Sequence, residues 1–370
     1  MKIAFANAKY KLIESSGGNA HINQFINNAV ALGHEIWVWP GNQHSLVHHL
    51  PMKRLDMWRT LRSMDVLYIR IETAPPSTCR WSLPPHRWMY GFPIVVWEFN
   101  SIPEYGLLRG KTSQEIEQSI LIFRKYSPGC DMAICVSNNL GDYVTDKLAI
   151  KKAFVVPNGS DPNLFKPDAP PVKQLSNSEN QLNVVWIGSA DISWHNFDIL
   201  LSASQIIHHS SYKDRISFHI IGKDSADRFG RLPPNVFYWG PVPYEQLPNW
   251  LSGMDVGLVL YHSGQADFGS PVKLFDYLAS GLTVVSTDQP QVREVFEQMG
   301  QSDLIVPDND ATDLADKLIR LANDQERIQR QGELSRKLVI DHYNWRRAVQ
   351  DTMNEIEAIL DQKGISNRTS

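Results

Sequence analysis

No apolar run in this 370-residue chain is long enough to span a bilayer or serve as a secretion signal. A cytoplasmic protein is therefore expected, at most lying on a membrane surface. Cysteine is scarce. Cys79, Cys130 and Cys135 are odd in number and lack metal-ligand spacing, which argues against a disulfide scaffold and fits a reducing compartment. Neither charge sign dominates: the formal net charge of −4 argues against nucleic acid as a partner. There is no short repeat and no low-complexity tract. The fingerprint G-x-G-x-x-G is missing after the first apolar run, which argues against a nicotinamide enzyme.

What is present is an alternation. "KIAFANA" reads as a buried strand, and "GGNAHINQFINNAVALGHEI" as a glycine turn feeding an amphipathic helix that Gly33 ends. Strand-like runs recur at "EIWVWP", "DVLYIRI", "PIVVWEF", "MAICVS" and "AFVVPN". This βα rhythm predicts a parallel sheet. "PNGSDPNLFKPDAPPVKQLSNSENQ" then reads as a linker. The rhythm restarts with "LNVVWIG", "ISFHIIG", "VFYWGPV", "DVGLVLY", "LTVVST" and "LIVP", and ends in long helices. The length suits two domains. The charge is uneven: residues 1–168 hold 18 Lys+Arg against 14 Asp+Glu, leaving 18 against 26 of the 36 and 40 totals.

Gly17 and Gly18 precede the first helix. A backbone without Cβ atoms, next to unpaired helix N–H groups, can approach an anion. Gly269 and Ser270 precede a second helical phrase, "SPVKLFDYLASGLTVVST", which puts a cation, Lys273, and an acid, Asp276, within one turn.

"VVPNGSDPNLFKP" resembles the interdomain segment of GT-B glycosyltransferases of family 4, written PNG-x-D-x-x-x-F, here Pro157, Asn158, Gly159, Asp161 and Phe165. Similar phrases run along the chain: "GGNAHINQF", "CVSNNLGDYV", "FHIIGKD", "VFYWGPVPYEQLPNWLSGMDVGLVLY", "SPVKLFDYLASGLTVVST" and "YNWRRAV". The resemblance implies an α/β GT-B fold, two Rossmann-like domains with parallel sheets facing across a cleft. The boundaries expected are 1–165 for an acceptor-side domain, 166–345 for a nucleotide-sugar-binding domain, and 346–370 for a helix returning to the first. It also implies retaining transfer of a sugar from a nucleotide-sugar to a glycan or lipid-linked acceptor, with no metal and no other cofactor.

On that resemblance Gly269, Ser270 and Pro271 hold phosphate or sugar hydroxyls at a helix start, Lys273 charges the diphosphate, and Asp276 accepts from the ribose. Gly222 and Gly240 close strands, and Pro241 and Val242 resemble a base-contacting loop. The pattern departs from the family in two places. The family pairs two Glu seven residues apart; here Asp276 is the second, Phe268 falls at the first, and Asp267 is one residue off. The family's Arg and Lys after the first strand of the second domain are absent. Ser189, beside Gly188, and His195 stand near their places, leaving Lys273 and Lys223 to grip phosphate.

In the first half, His21, Glu98 and Asn100 are candidates to line the acceptor side or stabilise an oxocarbenium-like charge. Two alternatives stand beside the retaining enzyme: an inverting one with His21 as base, and a GT-B binding or regulatory protein without chemistry. Finally, "LPMKRLDMWRTLRSMD" and "TCRWSLPPHRWMYGF" interleave Lys and Arg with Trp58, Trp81, Trp88 and Tyr90, the composition of a peripheral membrane contact.

Overall fold

The computed structural model describes residues 1–11, 17–173, 181–223 and 232–365, which form two compact units. The first comprises Met1–Asn158, Phe268–Ser270 and the C-terminal segment from Trp345; the second comprises Gly159–Asp267 and Pro271–Asn344.

In the first unit, strands β1 (Lys2–Ala6), β2 (Glu35–Val38), β3 (His48–His49), β4 (Val66–Ile71), β5 (Ile94–Phe99), β6 (Met132–Cys135) and β7 (Ala153–Val155) make one sheet. Its order is β3-β2-β1-β4-β5-β6-β7, and every pairing is parallel. β4 and β5 are buried at every position, as strands covered on both faces must be. The helices are α1 (Gly17–Ala31), α2 (Arg54–Leu61), α3 (His86–Tyr90), α4 (Ser113–Tyr126) and α5 (Asn138–Asp146). One face packs Trp97, Phe99 and Phe123; the other packs Phe5, Phe25 and Tyr68.

In the second unit, β8 (Leu182–Ile187), β9 (Ile216–Ile221), β10 (Val236–Tyr238), β11 (Val256–Val259), β12 (Thr283–Thr287) and β13 (Ile305–Val306) pair in the order β10-β9-β8-β11-β12-β13, again all parallel. Helices α6 (Phe197–His208), α7 (Leu247–Leu251), α8 (Val272–Ala279), α9 (Pro290–Met299), α10 (Ala311–Leu321) and α11 (Gln325–Asp341) surround a core that includes Trp186, Phe197, Phe218, Phe275 and Phe296. α12 (Trp345–Gln362) returns to the first unit, where Val349, Met353, Ile356 and Leu360, at helical spacing, join the layer that covers α1.

The strands read from the sequence are present; the exposed two-residue β3 had no apolar signal to announce it. The segment read as a linker behaves differently at its start. Phe165 is fully buried in the second unit's core, edge-on to Tyr244, and Arg336 donates to the Phe165 and Pro162 carbonyls. The first unit thus ends at Asn158, and a second excursion, Phe268–Ser270, was not foreseen. Part of the linker and of "IGKDSADRFG" lies outside the described residues.

Candidate functional site

The candidate residues separate into two sets, one in each unit. In the first, α1 carries His21 toward the end of β5, where Glu98 is only 1 % exposed. Glu98 Oε1 accepts from the Arg70 guanidinium of neighbouring β4, from His21 Nε2 at 2.8 Å and from Asn100 Nδ2 at 2.7 Å. Burial would raise the carboxyl pKa. Arg70, His21 and Asn100 outweigh that and hold it at about 2. The buried Tyr68 hydroxyl is pushed up by burial and by the Glu98 charge.

His21 is fixed on its other side as well. Its Nδ1 lies 2.8 Å from Asn158 Oδ1. Asn158 donates its amide nitrogen to the Ser270 carbonyl at 2.6 Å and its backbone N–H to Ser270 Oγ at 3.0 Å. The amide orientation is therefore set, Oδ1 faces the ring, and a carboxylate that only accepts faces Nε2. Both ring nitrogens are therefore engaged within the protein, Nδ1 with Asn158 and Nε2 with Glu98.

Glu98 and Asn100 were read as groups able to bind an acceptor or stabilise an oxocarbenium-like charge; the carboxylate is buried and Asn100 turns onto it. Ser270, whose backbone amide was offered to phosphate, accepts from Asn158 through its hydroxyl and carbonyl oxygens. Phe268, at the place of the family's first Glu, packs edge-on to Tyr105 and Tyr143 and accepts from Ser137 Oγ through its carbonyl. These bonds account for residues 268–270 belonging to the first unit. Gly17 and Gly18 are exposed in the first turn of α1, and a side chain at Gly18 would meet open space. Part of the turn before them lies outside the described residues.

The second set gathers at the C-terminal ends of β8 and β9. Gly188 donates its N–H to the Ile221 carbonyl, and Gly222 donates to Gly240. A Cβ on Gly222, whose φ is +145°, would lie 1.8 Å from the Gly188 carbonyl oxygen, so only glycine permits this approach. Pro241 and Val242 follow Gly240, exposed and half-buried respectively. Ala190 donates to the carbonyl of Lys223, whose side chain is exposed. His195 Nδ1 lies 2.8 Å from the Ser189 carbonyl, and its ring stands edge-on to Trp186.

α8 brings in Lys273. The residue is half-buried, but Nζ is shielded from solvent and has no hydrogen-bond partner among the described residues. It lies 4.8 Å from the Trp186 ring centroid and 5.3 Å from that of Tyr261. Aromatic faces attract a cation but do not replace a counter-ion. Burial pushes this ammonium down to about 7. α8 has no side-chain cap, so its first-turn N–H groups point the same unmet demand at an anion. Gly257 makes α8's position possible: a Cβ there would lie 2.4 Å from the Tyr277 ring. Tyr277 OH in turn accepts from Ile187 N–H at the end of β8.

Asp276, one turn on, is buried rather than exposed. Its Oδ1 accepts from Ser160 Oγ at 2.6 Å and Tyr244 OH at 3.2 Å. Burial pushes it up to about 7 against those two bonds. With Oδ1 occupied, Oδ2 is what remains for a ribose, not both oxygens as the sequence suggested. Asp267, half-buried, accepts from Gly264 N–H in a local turn. Asp308 and Asp310 form an Asp-x-Asp pair, but Asp308 takes Asn196 and Ser263, and Asp310 caps α10. Among the described residues no three His, Cys, Asp or Glu side chains gather as metal ligands.

Sequence reasoning missed Arg70, Trp186, Tyr244 and Tyr261. Arg70 alone left a signal, a lone cation in the apolar run "VLYIRI".

Comparison with known proteins agrees with this geometry. Residues 181–324 match the family described as glycosyl transferases group 1. TuaH of Bacillus subtilis (strain 168), named for glycosyl transfer in teichuronic acid biosynthesis, is 35 % identical over 65 residues, 17 % of this chain and only 16 % of that protein's length. Sucrose-phosphate synthase from Thermosynechococcus elongatus superposes with a TM-score of 0.70 at 16 % identity, over 98 % of this chain and 99 % of the other. Anabaena HepE, solved in complex with UDP-glucose, gives 0.67 at 14 % identity, over 97 % and 100 %. The chain has the GT-B fold, and its residues 181–324 resemble the group 1 glycosyl transferases.

Proposed function

We propose that this enzyme moves a sugar from a nucleotide-sugar to a glycan or lipid-linked acceptor, with the donor held by the second unit. The observation that carries this reading is Lys273, an ammonium shielded from water with no hydrogen-bond partner among the described residues, at the start of a helix without a side-chain cap. A diphosphate supplies the missing charge and satisfies the helix N–H groups together. Asp276 Oδ2 then receives the ribose, and the glycines at 188 and 222 let the donor approach the backbone.

Metal independence is part of the proposal: protein cations and helix N–H groups neutralise the leaving diphosphate. Retention is proposed as well, by same-face attack assisted by that phosphate. His21 supports this over inversion, since both its ring nitrogens are engaged. UDP-hexoses are the first donors to try, because HepE was solved with UDP-glucose and a trehalose-6-phosphate enzyme from E. coli with UDP-2-fluoro glucose. The reading includes a cytoplasmic location and peripheral membrane contact through the first unit.

A binding protein without chemistry is the second reading, favoured by the absence of the family's Arg and Lys after β8. A nucleotide-sugar panel tests both. A donor at 100 times its Kd adds about 2.7 kcal/mol to stability. Donor hydrolysis with retained anomeric configuration, unaffected by EDTA, is expected. Binding without turnover leaves the second reading; no binding by any donor overturns both.

A further inference from the structure

Beyond the donor site, the first unit presents a surface with a composition of its own. Segments 51–63 and 80–90 hold six Lys or Arg against one acid, Asp56. Exposed apolar side chains interrupt these charges: Met52 at 88 %, Leu55 at 58 %, Trp88 at 74 % and Met89 at 44 % exposure. Large apolar groups in water need a reason when they cluster.

They do cluster. Leu55, Arg59 and Arg62 fall on one stripe of α2, at i, i+4 and i+7. Trp58, on the same helix, donates its indole N–H to the Met89 carbonyl at 2.9 Å, and Arg62 donates to that carbonyl at 3.3 Å while lying 5.2 Å from the Trp58 ring centroid. These bonds hold α2 against the residues that carry Trp88 and Met89. Trp81 and Tyr90 turn inward, stacked with Phe92, so the inner side of this layer is core and only its outer side is free. Arg87 also turns inward, to Asp131 and backbone carbonyls. Lys53, Arg54 and Arg59 stay exposed, with Asp56 only 3.8 Å from Arg59 to offset them.

We infer that α2 and α3 form a docking face for an anionic lipid surface, with Trp88 and Met52 entering the interface and Lys53, Arg54 and Arg59 meeting headgroup phosphates. Charge complementarity selects this occupant. A neutral bilayer or an apolar protein partner gives no return for three exposed cations beside the apolar tips, whereas interfacial Trp with flanking Lys and Arg fits an acidic headgroup layer. No helix among the described residues is long and apolar enough to cross a membrane, so the contact is peripheral. The inference rests on the peripheral part of the proposed function and gives it a place and a lipid charge.

The test is sedimentation of the full chain with phosphatidylcholine–phosphatidylglycerol vesicles against pure phosphatidylcholine vesicles. Binding is expected only to the anionic set and should fall with added salt. Lys53→Gln and Arg54→Gln should each weaken it by about fivefold. Brominated lipids should quench tryptophan fluorescence in the parent and lose part of that quenching in Trp88→Phe. Equal binding to both vesicle types, no binding, or unchanged quenching in Trp88→Phe overturns the inference. So does a dimer that Trp88→Ser dissociates, in a protein that ignores vesicles, since the face is then a contact between copies. Nucleotide titration of the same variants keeps the two readings apart. Donor binding without vesicle binding sinks this surface alone; vesicle binding without donor binding sinks the transferase reading and spares the surface.

Discussion

Glu98 and Lys273 are both shielded from water, and folding has treated them in opposite ways. The carboxylate of Glu98 receives three donors on Oε1, while Oε2 has no partner among the described residues, and it is held ionised. The ammonium of Lys273 receives two aromatic faces and, among the described residues, no acceptor, and is driven toward its neutral form. A buried charge paired with an opposite one ties elements of the fold together. An unsatisfied one costs stability until a partner arrives. The first belongs to the scaffold of β4, β5 and α1; the second is the group to which the proposed diphosphate is assigned.

The largest expected effect breaks the paired cluster. Arg70→Met should cost about 3–5 kcal/mol, because it strands the Glu98 carboxylate. Urea unfolding measures this, and a loss under 1 kcal/mol would show that the cluster is no anchor. Lys273→Met should do the reverse to the empty protein, leaving stability unchanged or raised, because it removes a buried charge that nothing pairs. The same variant should lose about 2–5 kcal/mol of nucleotide-diphosphate affinity. Calorimetry decides: parent-like binding by Lys273→Met would end the diphosphate role.

Smaller effects follow. Asp276→Ala should weaken nucleotide binding by about 1.5–3 kcal/mol while leaving pyrophosphate binding alone, if its carboxylate meets the ribose. Equal losses for both ligands would place it elsewhere in the site.

The pH dependence sharpens the contrast further. Glu98 is held at about 2, below an ordinary value near about 4.3. Its contribution to stability is complete above the ordinary value and lost as pH falls toward 2. Lys273 is lowered to about 7, from an ordinary value of about 10.4. Between those two values the unfolded chain binds the extra proton, so this group makes stability rise with pH. Asp276 is raised to about 7, and between its ordinary value and 7 the native state holds the extra proton, so stability falls with pH there. Nucleotide affinity should weaken above about 7, with protons taken up on binding. Calorimetry in buffers of different ionisation heat reads that uptake; affinity that is flat from pH 6 to about 9 would contradict it.

Much of this was legible in advance. The period-two and all-apolar runs marked the strands, because a parallel sheet buried on both faces tolerates few polar residues. "SPVKLFDYLASG" marked α8 and the turn that ends it. Glycines at 222 and 257 stand where a side chain would collide with neighbours distant in sequence, so the letters were visible and their reasons were not.

Residue types, spacing and the succession of strands and helices along the chain follow from the sequence by itself, because local sterics and burial act on neighbours along the chain. Which of those residues face one another was decided only by tertiary structure. Arg70 reached Glu98 through the pairing of β4 with β5. Asn158 reached His21 across 137 positions, which fixed both ring nitrogens of a histidine that the sequence offered as a base. Lys273 came to rest between Trp186 and Tyr261 with no acceptor among the described residues, and Asp276 spent one oxygen on Ser160 and Tyr244. The physical reason is the same in each case. The protonation and reach of a buried polar group depend on what surrounds it in space, and that environment is built from residues far apart in the chain.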